Sequence, residues 1–360
     1  LAVLHTVFSS VDQDGQTDWI DSPVKARKRW RALWEKGYFK EDVIRTYLEK
    51  YHERFWLFHD QYPFWQIPEA AVGTEYTVAK LNGELSESGN KVLLCYGGGS
   101  IKKAGIYDEA VKILKEEDIE IFELSGIAPN PKIESVREGV KLCKENDIDM
   151  VLAIGGGSVI DCAKVVAAGA CYDGDPWDLV ITSRWIKKAL PIYSVLTLSA
   201  TGSEMDPFAV ISDMSKNEKW GTSSEHMKPK MSILDPEYTY SVSKKQTAAG
   251  TADMISHICE NYFTNVKNAD VQARFAEGLL KNCFKYGPIA LEEPDNYDAR
   301  ANLMWTASMA INGILSDGAE VSWCVHPMEH ELSAFYDITH GEGLAILTPH
   351  WMDFALNDDT

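Results

Sequence analysis

Residues 149–164 read DMVLAIGGGSVIDCAK, and the fold turns on what this stretch is. An apolar run, 150–154, meets a glycine triplet, Gly155–Gly156–Gly157, and then a helix-forming run from Ser158. That is a buried strand, a tight turn and a helix start. The same order appears in KVLLCYGGGSIKK, 91–103. Glycine has no Cβ, so backbone can come close to a phosphate there, and the free N–H groups of the following helix start can bind it. Two such turns in one chain point to a nucleotide site. Neither matches G-x-G-x-x-G, so the common dinucleotide fingerprint is absent.

Outward from the triplets the rhythm continues. SIKKAGIYDEAVKILKEE reads as helix, IEIFEL as strand and KIESVREGVKLCKEN as helix. The strand PIYSVLTL then leads into TLSATGSEMD, 197–206, whose Thr197, Ser199, Thr201 and Ser203 offer hydroxyls suited to phosphate or ribose. Strands alternating with helices predict a parallel α/β sheet. From Lys244 strand patterns stop, and the remainder reads as helices. The expected organisation is an extra, mainly helical N-terminal segment over 1–90, an α/β dinucleotide-binding domain over 91–243 and an all-helical metal-binding domain over 244–360.

The 360 residues carry a formal net charge of -19, which repels polyanions and makes nucleic acid an improbable partner for 91–360. No apolar run approaches the ~20 residues of a membrane span. The seven cysteines form no CxxC pair, which fits a reducing cytoplasm better than a disulfide framework. Of nine histidines, His5, His52, His59, His226 and His350 have no pattern that asks for chemistry. The others do. Asp253 and His257 are four apart on one helix face. His326 and His330 repeat that spacing, and His340 follows in DITHGEG. An aspartate with several histidines in a helical half suits a divalent transition ion, iron or zinc.

The motifs YGGGSIKK, GIAPNPK, AIGGGSVIDCAK, TLSATGSEMD, LDPEYTYSVSKKQTAAGTADMISH and CVHPMEHELSAFYDITHGEGLAIL run from Lys91 onward. They resemble the iron-containing alcohol dehydrogenases, in the butanol dehydrogenase branch that uses NADP(H). The resemblance implies hydride transfer between NADP(H) and a primary alcohol or aldehyde, with Fe2+ or Zn2+ as Lewis acid, in a cytoplasmic enzyme that can form a homodimer. It implies Asp253, His257, His326 and His340 as metal ligands, and His330 beside the nicotinamide as proton relay. Cofactor contacts would come from Gly98, Gly99, Ser100, Gly156, Gly157, Ser158, Asp161, Thr197, Thr201 and Lys219. Asp206 stands where some relatives have asparagine. The turn 97–100 is uncharged and Lys102 and Lys103 follow, which favours a 2′-phosphate over a free ribose.

Before Lys91 the chain changes character. Residues 23–36 and 41–58 read as helices, the second clearly amphipathic. YLEKYHERFWLFHDQYPFWQIP and TEYTVAKLNGELSESGN resemble the N-terminal part of the large subunit of type I-E CRISPR Cascade complexes, the CasA family. The resemblances imply a join near Gly89–Asn90, a dehydrogenase portion without its usual first strand, and one truncated at its C-terminal helices. The competing expectations are a nucleic-acid effector fragment or an inactive chimera.

Overall fold

A computed structural model describes residues 9–11, 17–19, 69–72, 78–81, 83–264, 269–317, 321 and 323–355. The chain forms two compact units, Leu1–Gln66 and Ile67–Thr360. In the first, β1 (Ser9–Val11) and β2 (Thr17–Trp19) pair antiparallel. The helices expected over 23–36 and 41–58 lie outside the described residues.

The second unit is built on six parallel strands: β3 (Glu69–Val72), β4 (Lys91–Tyr96), β5 (Glu120–Leu124), β6 (Met150–Gly155), β7 (Ile192–Leu196) and β10 (Met231–Leu234). Their spatial order is β3-β10-β7-β6-β4-β5. Strands buried on both faces read as continuous apolar runs, because alternate side chains serve opposite layers. In β4, Leu93 and Cys95 join the core on one face, while Val92, Leu94 and Tyr96 join the core on the other. Helices α3 (Ile133–Asn146) and α4 (Gly157–Ala170) cover the first face. Helix α2 (Ile106–Glu116), reached through the short α1 (Ser100–Lys103), covers the second. α5 (Pro176–Ile181) and the antiparallel pair β8 (Phe208–Asp213) and β9 (Glu218–Ser223) complete this half.

The expected seam at 89–91 is not a boundary in the fold. Val78, Leu81 and Leu85 are buried beneath α2 in the same core as Val92 and Leu94. The Asp149 carboxylate accepts both Asn90 N–H, at 2.9 Å, and Lys91 N–H, at 3.0 Å. A strand does precede the first glycine turn: β3 pairs in parallel with β10, Glu69 opposite Met231. It was hidden because four residues, Glu-Ala-Ala-Val, are too short to show a period.

Five helices follow: α6 (Lys244–Tyr262), α7 (Asp270–Glu292), α8 (Tyr297–Ile311), α9 (Val325–Tyr336) and α10 (His340–Ala355). Ser243 caps α6, its hydroxyl accepting from Gln246 N–H. Met254 and Ile258 of α6 share a core with Cys283 of α7 and Leu303 and Ala307 of α8. No helix among the described residues is long and apolar enough to cross a membrane.

Candidate active site

The strand order explains why two distant glycine triplets meet. After β4 the chain moves one way to β5, then returns across β4 to β6. In such sheets ligands sit beyond the carboxyl ends of the strands flanking that reversal. Cys95 pairs with Ala153 and Tyr96 with Ile154, so the turns 97–99 and 155–157 lie side by side. Thr197 N–H donates to Gly155 O at 3.0 Å, bringing the next loop alongside. A cleft of about 300 Å³ opens there, lined by Gly98, Ser100, Gly156, Gly157, Ser158, Thr197 and Thr201.

The glycines do different jobs. A Cβ on Gly157 would lie 2.2 Å from Thr201 Oγ1, so packing of the 197–201 loop demands glycine there. A Cβ on Gly98 or Gly99 would meet nothing within 4 Å, and neither has positive φ. The fold asks nothing of either, and for Gly98, which lines the cleft, close approach by a ligand is a use for the bare backbone.

The same cleft ends on Asp253 and His340. Asp253 and His257 project from one face of α6, and both are buried. His326 lies in the first turn of α9 and His340 opens α10. α10 can reach α6 because Gly341 has no side chain; a Cβ would lie 2.0 Å from Ala249 O. Three imidazole Nε2 atoms converge on one oxygen, Asp253 Oδ1: His257 at 3.6 Å, His326 at 3.7 Å and His340 at 3.7 Å. None of these approaches is a hydrogen bond. Asp253 Oδ1 and His326 Nε2 are buried with no hydrogen-bond partner. Buried polar atoms rarely go unpaired. Ligands ~2.1 Å from a tetrahedral ion lie ~3.4 Å from one another, which is close to the spacing here. The ligand atoms of Asp253, His257 and His326 all lie within 4.8 Å of one another and fit a divalent ion, and His340 reaches the same Asp253 oxygen while also grouping with Glu329 and His330.

Acidic residues set the far sides of these rings. Glu260, buried on α6, bonds His326 Nδ1 and accepts the backbone N–H groups of Cys324 at 2.6 Å and Val325 at 2.7 Å. Glu329, buried on α9, bonds His340 Nδ1 and Ser333 Oγ. Metal-binding histidines commonly donate their other ring N–H to a carboxylate, which fixes ring orientation and tautomer. Burial alone raises the Asp253 carboxyl, but the His257, His340 and His326 imidazoles reverse this and hold it well below the usual carboxylate range. Burial pulls His257 down to about 4, leaving it neutral with a free lone pair. Burial also lowers His326, yet Asp253 and Glu260 outweigh it and lift it to about 9. An ion binding here displaces that proton.

Most of the expected cofactor residues line the cleft; three do not. Gly99 is exposed outside it. The Asp161 carboxylate is used inward, accepting from Ser203 Oγ at 2.6 Å and Val210 N–H at 2.9 Å. Lys219 is buried with its ammonium 3.0 Å from Glu329 Oε2 and 3.1 Å from Asn130 Oδ1. It backs Glu329 and His340, whose Nδ1 lies 3.3 Å from the ammonium, and does not line the cleft. Asp206 is likewise committed, paired with buried Lys164 at 2.8 Å. His330 stands half-buried with its ring 5.7 Å from that of His340. Burial, with help from Lys219, holds it well below the ordinary histidine range.

Glu260, Glu329 and Asn130 escaped the sequence reading. The signal was present for two of them: each glutamate lies three residues beyond one of the clustered histidines on the same helix, Glu260 after His257 and Glu329 after His326. Glu260 nevertheless serves His326, and Glu329 serves His340, so spacing alone would have paired them wrongly.

A sequence model described as iron-containing alcohol dehydrogenase matches residues 68–236, and one described as Fe-containing alcohol dehydrogenase family, C-terminal, matches 247–359. The first match starts well before Lys91, in keeping with a sheet that begins at β3. The chain is 58% identical over 296 residues to NADH-dependent butanol dehydrogenase A of Clostridium acetobutylicum, covering 82% of this chain and 76% of that protein. It is 44% identical over 262 residues to the NADPH-dependent aldehyde reductase YqhD of Escherichia coli, covering 72% and 67%. Among solved structures, an NADH-dependent butanol dehydrogenase A from Thermotoga maritima aligns with a TM-score of 0.78 at 46% identity, covering 80% of this chain and 73% of the other.

Proposed function

The chain belongs to the iron-containing alcohol dehydrogenase family, and from that premise we propose that it interconverts a primary alcohol and its aldehyde, of butanol size, using a nicotinamide dinucleotide. Iron or zinc would be held by Asp253, His257, His326 and His340. The observation that carries this reading is a single cleft with two glycine turns at one end and Asp253 and His340 at the other.

When bound, the ion supplies Lewis-acid stabilisation of charge on the substrate oxygen, and the dinucleotide supplies or accepts the hydride. The chain's part is placement. Gly98, Ser100, Gly156, Gly157 and Ser158 offer backbone and hydroxyl groups to phosphate, with Thr197 and Thr201 alongside. Three neutral imidazoles and one carboxylate would leave a divalent ion with a net charge of about +1, which is the basis of its Lewis acidity. Glu260 and Glu329 hold the rings. His330, kept neutral by burial and with its ring 5.7 Å from that of His340, would pass a proton as an imidazole. His330→Ala should lower kcat by roughly 10²-fold or more without loss of metal, as for a general acid–base group. Unchanged kcat would remove His330 from the reaction.

NADP(H) is the proposed cofactor. The turn 97–100 has no acid to repel a 2′-phosphate, and Lys102 and Lys103 follow it. Lys102 is held over the rings of Tyr96, at 4.9 Å, and Tyr107, at 4.2 Å. The relatives named above include both NADH- and NADPH-dependent enzymes, so the choice rests on this charge pattern. The test is butyraldehyde-dependent oxidation of NADPH and of NADH by the full chain, with Fe2+ or Zn2+ and after chelation. Turnover that needs metal and favours NADPH supports the reading. Turnover indifferent to chelation contradicts it, and preference for NADH overturns the cofactor assignment alone.

Gly98 gives a sharper probe of the cleft. Gly98→Ala should leave the melting transition within about 0.5 kcal/mol of the parent, since its Cβ meets no atom. Dinucleotide binding should weaken measurably in a fluorescence titration. A variant with unaltered affinity would mean that no phosphate approaches this turn.

A further inference from the structure

The loop 197–206 brings Thr197, Leu198 and Thr201 to the cleft and then turns away. Its far end is fastened firmly. Gly202, at φ +71, lets the backbone close onto α8; a Cβ there would lie 2.4 Å from Ile311 Cγ2 and 2.7 Å from Ala307 O. Ser203 Oγ donates to Asp161 Oδ1 at 2.6 Å. Glu204 O accepts from Ser232 Oγ of β10 at 2.7 Å. The Glu204 side chain is 0% exposed and crosses to α8, where it bonds Ser308 Oγ. We infer that Glu204 is a positioning residue for the dinucleotide: its buried carboxyl ties the 197–206 loop to α8 and so fixes Thr197 and Thr201 beside the glycine turn at 155–157. The inference rests on the reading of this cleft as the dinucleotide site.

The surroundings make this tie depend on charge. α8 offers Glu204 a hydroxyl and apolar groups, and β10 offers a hydroxyl. The charged neighbours are Lys164 and Asp206, and they are taken up with each other: Lys164 Nζ bonds Asp206 Oδ1 at 2.8 Å, Asp206 O at 2.9 Å and Phe208 O at 2.7 Å. Glu204 Oε2 has no partner. An ionised carboxylate with one hydroxyl donor is poorly compensated when buried. Burial accordingly pushes the Glu204 carboxyl up to about 7. The native pKa lies above the unfolded one, so the stabilising contribution is complete below about pH 4.5 and is lost as pH rises through about 7. The fastening should therefore loosen above neutrality.

The test uses the metal-loaded full chain and NADH, which lacks a 2′-phosphate that would titrate in the same range. NADH affinity is measured by fluorescence at pH 6 and pH 8.5 for the parent, Glu204→Gln and Ser308→Ala, with thermal midpoints taken at both pH values without NADH. The parent Kd should rise about threefold or more between the two pH values, and its midpoint should fall. Glu204→Gln, neutral at both, should keep the pH 6 affinity at pH 8.5 and show a flatter midpoint. Ser308→Ala should bind about threefold or more weakly at pH 6, where the parent's tie is intact. The same pH slope in Glu204→Gln as in the parent overturns the inference, as does parent-like binding by Ser308→Ala. If Glu204→Gln does not fold, Ser308→Ala and Ser308→Thr decide, with threonine expected to restore affinity. A parent chain that binds neither NADH nor NADPH at either pH overturns the cleft reading and the positioning role together; if only NADPH binds, the same parent-against-variant slopes are read with it, and loss of the variant effects alone overturns only the positioning role.

Discussion

His257→Ala should bind its divalent ion at least about two orders of magnitude more weakly and lose essentially all metal-dependent turnover. The size follows from the ligand set. Structural ions held by four ligands gain roughly 10–16 kcal/mol, so one ligand carries ~3 kcal/mol, or about 10²-fold in affinity. His257 is the right residue to remove. It is buried, neutral, and its Nε2 lies 3.6 Å from Asp253 Oδ1 without bonding it. Its Nδ1 has no hydrogen-bond partner, so its loss breaks no hydrogen-bond network and the apo chain should fold. Titration with Zn2+ or Fe2+ against a competing chelator measures the effect. An unaltered affinity would show that the ion, if any, binds elsewhere.

Glu329→Ala should be the most damaging change outside the four proposed ligands, and it should act twice. Glu329 is fully buried and forms the ion pair with Lys219, itself almost fully buried. Burial raises the Glu329 carboxyl, but His340 and Lys219 outweigh it and draw it down to about 2. Removing one partner of a buried pair strands the other charge, at a cost of about 3–5 kcal/mol. The same change takes the carboxylate from His340 Nδ1, leaving it only Lys219 Nζ at 3.3 Å, and loss of such an outer carboxylate typically weakens metal binding about 10–100-fold. A second substitution separates the two effects. Glu329→Ala with Lys219→Met should recover much of the unfolding free energy while metal affinity stays low. If the double variant regains affinity as well, Glu329 matters only as a counter-ion to Lys219. If Glu329→Ala unfolds at the parent denaturant midpoint, the buried pair is not the support it is drawn as here.

Much of this was legible before the structure. The two glycine turns, 97–99 and 155–157, announced themselves because each sits between an apolar run and a helical period, a local pattern. The proposed ligands Asp253, His257, His326 and His340 were legible as residue types, with Asp253 and His257 at helical spacing, and as a set only through the family resemblance. What could not be read was anything decided by a long-range partner. Asp161 and Lys219 look like groups free to meet a cofactor, but Ser203 and Val210 claim one, and Glu329 and Asn130 claim the other. Glu260 looks like a solvated helix carboxylate in sequence. It is buried only because α9 begins against it, where it accepts two backbone N–H groups that would otherwise lack partners. β3 was invisible for a related reason. Four residues carry no period, and their assignment rests on pairing with β10, some 160 residues away. The join expected at 89–91 rested on two family resemblances meeting there, together with a change in composition; in the fold these residues lead into β4, with Val78, Leu81 and Leu85 in the same core as Val92 and Leu94.

The central claim is that one divalent ion sits among Asp253, His257, His326 and His340 at the end of the dinucleotide cleft. The direct measurement is anomalous diffraction at the iron or zinc edge from crystals of the metal-loaded chain. The account predicts one strong peak per chain, ~2.0–2.2 Å from the three Nε2 atoms and from Asp253 Oδ1. A chain that takes up metal in solution but shows its peak away from these residues, or no peak at all, would contradict it.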